Sequence, residues 1–116
     1  MKIVKSIDAQ IIKNSNTSEL LEYSISLNDK DIDFCINTIS GRYPEKGYCT
    51  NEKCKEICYI LEGKGNLNKK DASINFEKGD VILIEKEEIY YWNGNCKIIM
   101  ICTPAWYKKQ CKLLDL

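Results

Sequence analysis

The sequence predicts an all-β domain, built as a closed or double-sheet β-barrel. Roughly eight short segments rich in apolar and β-branched residues are separated by turn-forming residues at regular intervals. Several of these segments alternate apolar with polar residues, as strands with one buried face do. The chain of 116 residues has the size of one domain. We therefore predict one domain over residues 1–116, with few exposed sheet edges.

The segment 54–61 is the clearest of the predicted strands. Successive side chains of a strand point to opposite faces. One face therefore carries Cys54, Glu56, Cys58 and Ile60, and the other carries Ile57, Tyr59 and Leu61. The carboxylate of Glu56 is placed among apolar neighbours, which is the clearest hint of chemistry in the sequence.

Residues 1–31 are predicted to form an N-terminal arm and the first strands. The apolar residues of segment 1–12 fit a helix about as well as a strand, so this segment covers either the barrel or a partner subunit. Turn formers follow over 14–18, and 20–27 reads as a strand that ends in a turn at 28–31.

Residues 32–103 are predicted to form the barrel core, beginning with a strand over 32–40. The segment 41–47 is predicted to be a loop, because it contains a proline flanked by glycines. Loops at the mouth of a barrel often carry function. Arg42 and Tyr43 are therefore candidates to close a pocket over an anionic group, and the alternative is that Arg42 is a solvated loop charge.

Further strands are predicted over 53–61, 81–84, 89–92 and 96–103, with a hairpin through 67–76. The triplet Gly63-Lys64-Gly65 is expected to turn or bulge the chain. The pair Asn93-Gly94 between apolar runs predicts a hairpin turn. Pro104 ends the last strand, and the composition of residues 104–116 predicts a short C-terminal helix on the outside of the barrel.

The composition excludes several classes of function. Lys plus Arg and Asp plus Glu are 17 each, so the net charge is zero and binding to nucleic acid or to a membrane surface is not expected. The apolar runs are too short to span a bilayer and no signal peptide is recognised. Seven cysteines, an odd number placed mostly in apolar strands, are interpreted as reduced core thiols. A cytoplasmic location is predicted.

Two motifs resemble those of the cupin superfamily. Glu56 followed by Gly63 is similar to the end of its first motif, and Gly79-Asp80 with four apolar residues is similar to the start of its second. The segment 103–106, Thr-Pro-Ala-Trp, is similar to the tail of small single-domain cupins. The resemblance implies an RmlC-like jelly-roll barrel (a double-stranded β-helix), a homodimer, and a pocket inside one end of the barrel.

The chain departs from the cupin pattern in its metal ligands, because it contains no histidine. Metal-binding cupins have a His-x-His pair before the motif-one Glu and a further His in motif two. The pair falls here on Thr50 and Glu52 or on Cys49 and Asn51, and the motif-two position falls on Tyr90. We therefore predict no metal cofactor, and if a metal is bound, the ligands are Cys49, Asn51 and Glu56.

A thiolate metal site is disfavoured by distance. Cys54 and Cys58 lie about 13 Å apart if both belong to one extended strand, so they cannot converge on an ion. Imidazole, a common nitrogen ligand of transition metals, is absent from the chain.

The candidate catalytic residues are Glu56 and Tyr90. Burial raises a carboxyl pKa toward neutrality, where the group can serve as general acid or base. The alternative is a purely structural buried carboxylate, satisfied by Tyr90, Asn51 or a backbone amide. The predicted ligand-binding residues are Arg42, Tyr43, Asn51, Cys54, Cys58 and Trp92.

Three functions are compatible with these residues. The first is binding of a polar or carbohydrate-like metabolite in the barrel lumen without a metal, for which aromatic residues with a polar tip are suited. The second is an isomerase or lyase that transfers protons through Glu56 and Tyr90, although not a His-dependent sugar epimerase. The third is a non-catalytic dimeric sensor or accessory module.

Overall fold

A computed structural model describes all 116 residues and confirms an all-β domain with antiparallel sheets. The strands are β1 (Gln10–Ser15), β2 (Ser18–Glu22), β3 (Asp33–Tyr43), β4 (Tyr48–Asn51), β5 (Lys55–Asn68), β6 (Ser73–Glu77), β7 (Val81–Ile84), β8 (Tyr91–Thr103) and β9 (Cys111–Leu114). One short helix, α1, covers Ser24–Leu27, and 3-10 turns cover Ser6–Asp8 and Lys108–Gln110. No helix is long and apolar enough to cross a membrane.

Seven strands form one curled sheet in the order β1-β2-β3-β8-β5-β6, with β7 paired to β5 beside this path. The long strand β5 pairs with β7 through its first half and with β6 through its second half. Strands β4 and β9 form a second, two-stranded sheet, which an isolated bridge between Cys49 and Tyr90 joins to the rest. The curled sheet and this small sheet enclose a lumen between them.

The alternation of side chains decides which residues face the lumen. On β5 the inward residues Glu56, Cys58 and Ile60 are buried, while Ile57 and Tyr59 on the opposite face are exposed, as predicted. On β3 the inward face carries Asp33, Cys35, Asn37 and Ile39. Polar groups of β3 therefore enter the lumen, while its apolar Ile36 faces outward and its half-buried Phe34 borders the cavity.

The predicted hairpin at Asn93-Gly94 is wrong, because β8 runs through it without a turn. Gly94 pairs with Gly41 on β3 and with Gly65 on β5, so three glycines lie side by side across the sheet. A Cβ atom at Gly94 would come within 2.6 Å of the Lys64 carbonyl oxygen. The glycines thus permit the close approach of bent strands, and this long-range pairing overrides the local turn signal.

The predicted C-terminal helix is also wrong. Residues 104–116 contain only the 3-10 turn Lys108–Gln110 and the strand β9, whose ladder pairs it with β4. A helix of this length is marginal in water. Pairing with β4 satisfies the backbone groups of both strands, so the strand prevails over the weak helical propensity.

The beginning of the chain differs from the sequence prediction in three places. The ambiguous segment 1–12 forms the turn Ser6–Asp8 and the exposed edge strand β1. The strand predicted over 20–27 ends at Glu22, and α1 follows. Arg42 and Tyr43 belong to β3 and not to a loop, because both remain paired with β8.

We predict that the close approach of strands at Gly63 is required for stability. Gly63 and Gly79 both have positive φ, at 80° and 94°, but only at Gly63 would a Cβ atom overlap a neighbouring strand, at the Asn95 carbonyl oxygen. Gly79→Ala should therefore lower the free energy of unfolding by about 1 kcal/mol through backbone strain alone, and Gly63→Ala by about 3 kcal/mol. Urea denaturation measures both, and equal losses would contradict this account.

Candidate functional site

A cavity lies inside the barrel between the inner faces of β2, β3, β5 and β8 and the strand β4. Its volume is about 130 Å³. Its polar lining consists of Asn14, Glu22, Asp33, Asn37, Asn51 and Glu56, its aromatic lining includes Tyr43, Tyr90, Trp92 and Trp106, and four thiols complete the wall, those of Cys35, Cys49, Cys102 and Cys111. No Lys or Arg lines it.

Glu56 is a buried acid of the cavity wall. Its side chain projects from β5, and the residue is 9% exposed. Asn51 Nδ2 donates a hydrogen bond of 2.8 Å to Glu56 Oε1, while the Cys58 Sγ, at 4.0 Å, is the only partner of Oε2. Burial raises the pKa of Glu56 to about 7 against the opposing effect of the Asn51 hydrogen bond. The acid therefore exists in both protonation states at neutral pH.

A chain of buried amides holds Glu56 in place. The Gln110 Nε2 donates to Asn51 Oδ1 at 2.8 Å, and Asn51 in turn donates to Glu56. The Gln110 Oε1 accepts from the backbone N–H groups of Lys53 and Cys54 at 3.3 and 3.2 Å. The oxygen and the nitrogen of each side-chain amide are therefore hydrogen-bonded. The position of the Glu56 carboxyl thus depends on the turn after Trp106 that carries Gln110.

Tyr90 and Trp92 form an aromatic corner beside the acid. Their ring centroids lie 6.3 Å apart in an edge-to-face arrangement, and the Phe76 ring packs on Trp92 from behind. Burial, with the nearby Glu56 charge as a smaller contribution, raises the pKa of Tyr90 well above its usual value. Burial also raises the pKa of Tyr43 to about 12. Both phenols are therefore protonated at neutral pH and can donate hydrogen bonds.

Two further carboxyls, Glu22 and Asp33, line the same cavity. Burial raises the pKa of both, and for Glu22 the neighbouring Asp33 charge adds to the effect. Glu22 accepts a hydrogen bond of 3.2 Å from Ser24 Oγ, and Asp33 accepts one of 2.8 Å from the Phe34 backbone N–H. Neither carboxyl has a salt-bridge partner.

Searches against family models and against curated proteins found no match. The structure is similar to a variant of Streptomyces PAC13 solved with uridine, with a TM-score of 0.87 and 11% identity over 100% of this chain and 92% of that chain. Pac13 is described with another of its structures as a nucleoside dehydratase. It is also similar to the polyketide cyclase RemF from Streptomyces resistomycificus, with a TM-score of 0.77 and 14% identity. That match covers 100% of this chain and 87% of RemF. An RmlC-like cupin from Shewanella frigidimarina matches with a TM-score of 0.67 and 13% identity, over 87% of this chain and 88% of that chain. This chain has the cupin fold.

Within the cupin fold, the structure shows which residues replace the first histidine pair. Cys49 and Asn51 line the cavity, whereas Thr50 between them points away from it. Tyr90, at the motif-two position, also lines the cavity. The chain therefore keeps the place of the cupin site but fills it with a thiol, an amide and a phenol around Glu56.

These residues do not fit a metal ion of the kind that many cupins bind. No group of three Cys, Asp or Glu side chains is arranged to hold one. The amide of Asn51 is already occupied by Glu56 and Gln110. Burial raises the pKa of Cys49 to about 12, so this thiol is protonated and is a poor ligand.

The structure brings together five of the predicted site residues, and three lie elsewhere. Tyr43, Asn51, Glu56, Tyr90 and Trp92 line the cavity, while Arg42, Cys54 and Cys58 do not. Cys54 and Cys58 are packed into the core at 1% and 0% exposure.

Arg42 cannot close the pocket over an anion, because its guanidinium is used outside the barrel. Its Nη1 and Nη2 donate to the carbonyls of Glu45 and Gly47 at 3.0 and 2.8 Å. Its Cζ lies 3.8 Å from the centroid of the Tyr91 ring. The alternation of β3 explains this position, since Tyr43 faces inward and Arg42 therefore faces outward.

Sequence reasoning missed five polar residues of the site, namely Asn14, Glu22, Asp33, Asn37 and Gln110. The alternation of residues 32–40 placed Asp33 and Asn37 on one face, but the opposite face, with Phe34 and Ile36, is the more apolar. No signal identified Gln110, because it lies where a helix was predicted.

We predict that the ionisation of Glu56 destabilises the fold. Its pKa is about 7 in the folded protein against an ordinary value of 4.5. Between these values the folded state binds more protons than the unfolded state, so the free energy of unfolding falls as pH rises through this window, by about 3 kcal/mol.

Urea denaturation of the wild type and of Glu56→Gln at pH 5 and pH 8 measures this effect. The wild type should lose about 3 kcal/mol more than the variant between the two pH values. Comparison with the variant removes the contributions of Glu22 and Asp33, which have the same sign. Parallel losses in both proteins would show that Glu56 ionises normally.

Proposed function

We propose that this protein binds a small polar molecule in the cavity and acts on it as a lyase or isomerase, with Glu56 as the proton-transfer group. The observation that carries the proposal is a buried carboxyl in a cavity wall with a pKa of about 7. A general acid or base works best when its pKa lies near the pH at which it operates. Most buried structural carboxylates are fully paired, whereas Glu56 has one oxygen without a nitrogen or oxygen partner.

The lining supports binding of a polar molecule with an apolar or planar face. The rings of Tyr43, Tyr90 and Trp92 offer surfaces for stacking, and the amide of Asn37 offers a polar contact. A carbohydrate-derived metabolite combines hydroxyl groups with such a face. Pac13, with a TM-score of 0.87, is described as a nucleoside dehydratase, and this supports a dehydration or related elimination as the reaction class.

Each residue of the site has a separate role in the proposed proton transfer. Ionised Glu56 accepts a proton from a carbon or hydroxyl of the bound molecule, and the resulting carboxyl returns it to the product or to a leaving hydroxyl. The Tyr90 phenol, which stays protonated, donates a hydrogen bond to an oxygen on which negative charge develops. Asn51 and Gln110 are positioning residues, since Asn51 holds Glu56 directly and Gln110 holds Asn51.

We predict that Glu56→Gln abolishes turnover but keeps binding. A panel of nucleosides, sugars and their keto or aldehyde derivatives is first screened by thermal shift, and hits are then assayed for loss of water or isomerisation by mass spectrometry and NMR. The activity should fall at least 100-fold in Glu56→Gln, because general acid–base catalysis contributes about 10²–10⁴-fold.

The matched control is Glu62→Gln, which changes an exposed glutamate of the same strand β5. This variant should keep full activity. Ligands that stabilise the protein without any turnover would support the non-catalytic sensor or accessory module instead. Activity that survives Glu56→Gln would remove Glu56 from the mechanism.

We further propose that the protein is a homodimer, with the outer face of β5 and β7 in the interface. Ile57, Tyr59, Val81 and Leu83 form adjacent cross-strand pairs on this face and are 41–57% exposed. Contiguous exposed apolar side chains of this kind mark interaction surfaces. The N-terminal arm also exposes apolar side chains, at Ile3, Ile7 and Ile11, that cover nothing in their own subunit.

We predict that light scattering after size exclusion gives twice the chain mass of 13.4 kDa for the wild type. Ile57→Lys with Leu83→Lys places two charges in the face and should return the protein to the mass of one chain. Ile74→Lys, at an exposed position of β6, is the control and should leave the dimer intact. A monomeric wild type would contradict the dimer.

A further inference from the structure

The acidic groups of the cavity occupy one continuous part of its wall. Asp33 and Glu56 both pair with Cys102, from opposite sides, so they lie two strand spacings apart on the same inner face. This spacing corresponds to about 10 Å between their Cα atoms. Glu22 pairs with Cys35, the next inward residue after Asp33. The three carboxyls are therefore close enough together to contact one small molecule.

No cation of the protein compensates these carboxyls. The salt bridges of the chain, Lys55–Glu85, Lys69–Glu88 and Lys112–Glu52, all lie on the surface. Glu22 accepts a hydrogen bond from the Ser24 hydroxyl, and Asp33 accepts hydrogen bonds from the backbone N–H groups of Phe34 and Trp106. Asp33 is buried at 8% exposure and Glu22 is half-buried, and buried charges in proteins are normally paired or coordinate a cation. The Glu22–Asp33 end of the cavity thus has an unmet demand for positive charge.

A second observation indicates that this cavity is built for a ligand. Asn37 is 3% exposed and lines the cavity. Its Oδ1 accepts a hydrogen bond of 2.8 Å from Ser18 Oγ, whereas its Nδ2 donates only to the Met100 thioether, at 4.0 Å. A thioether is a weak acceptor, so the amide nitrogen keeps the capacity to donate to a bound molecule. The aromatic Trp106 lines the same region, next to Asp33, and an aromatic face favours a nearby cation.

We propose that the cavity selects a molecule that carries a protonated amine, which lies between Glu22 and Asp33 while the polar body of the molecule extends to Asn37 and Glu56. This inference deepens the proposed function and rests on it, because it names the ligand class of the same cavity. It also states what the cavity rejects: phosphorylated or carboxylated molecules meet three carboxyls and no Lys or Arg. A metal ion is the alternative cation, and the test includes it.

Three probes of equal size and different charge test this charge selection: benzylamine, benzyl alcohol and benzoate. Their affinities are measured at pH 7.5 by NMR titration of cavity resonances in the full chain. Benzylamine should bind at least 10-fold more tightly than benzyl alcohol, and benzoate should give no saturable shift. Addition of magnesium or zinc chloride should not displace benzylamine.

The double variant Glu22→Gln with Asp33→Asn should reduce the ratio of benzylamine to benzyl alcohol affinity to within about twofold of unity. Glu22→Gln alone, at a partly exposed position, should lower the ratio severalfold and serves if the double variant does not fold. The control Glu19→Gln, an exposed glutamate of β2, should keep the wild-type ratio.

The possible contradictions are distinct. Binding of benzoate as tight as that of benzyl alcohol, or a ratio that the double variant leaves unchanged, would overturn the amine assignment. Displacement of benzylamine by the metal salt would replace the amine by a metal ion. Binding of benzyl alcohol without any charge preference would overturn this inference and leave the binding of neutral polar molecules standing. Failure of all three probes to bind would count against both the amine inference and the proposed binding of a small polar molecule.

Discussion

The hydrogen-bond chain from Gln110 through Asn51 to Glu56 is the constraint on which the site depends. It starts at backbone N–H groups of the segment before β5 and ends at the carboxyl on β5 itself. Each amide in the chain is buried and has its orientation fixed on both sides, so the carboxyl cannot turn away from the cavity without leaving buried groups unpaired. The chain closes only because β9 pairs with β4 and brings Gln110 beside Asn51.

In this arrangement a proton is the variable charge at Glu56. In a cupin that binds a metal, the ion compensates the motif-one glutamate. Here a single neutral donor faces that glutamate, and burial then shifts the equilibrium toward the protonated acid. The surrounding groups agree with this chemistry, because the phenols and thiols near Glu56 stay protonated and no histidine competes for the proton.

The sequence predicted the barrel because the information for it is local. The alternation in β5 and the turn before β7 are set by neighbouring residues, and both agree with the structure. The errors arose where distant strands decide the outcome. Asn93-Gly94 is a turn signal by itself, but Gly41 and Gly65 on the adjacent strands make it the bend of a continuous strand. The strand β9 exists only because β4 offers it a partner.

The site was predictable to the extent that a motif carried it. Glu56, Asn51 and Tyr90 were identified by their positions in two motifs and by strand alternation. Glu22 and Asp33 were not, since acidic residues on a mostly apolar hairpin suggest a solvent-facing side. Their inward position follows from the curl of the sheet, which turns the polar face of β3 toward the lumen and leaves Ile36 outside.

The protonation state of Glu56 tests the central claim most directly. A ¹³C NMR titration of the glutamate side-chain carboxyl carbons, assigned by comparison with Glu56→Gln, measures its pKa in the folded protein. We predict one carboxyl that titrates with a pKa of about 7. A Glu56 carboxyl that titrates near its ordinary value of 4.5 would contradict the account, because the acid would then be permanently ionised at neutral pH.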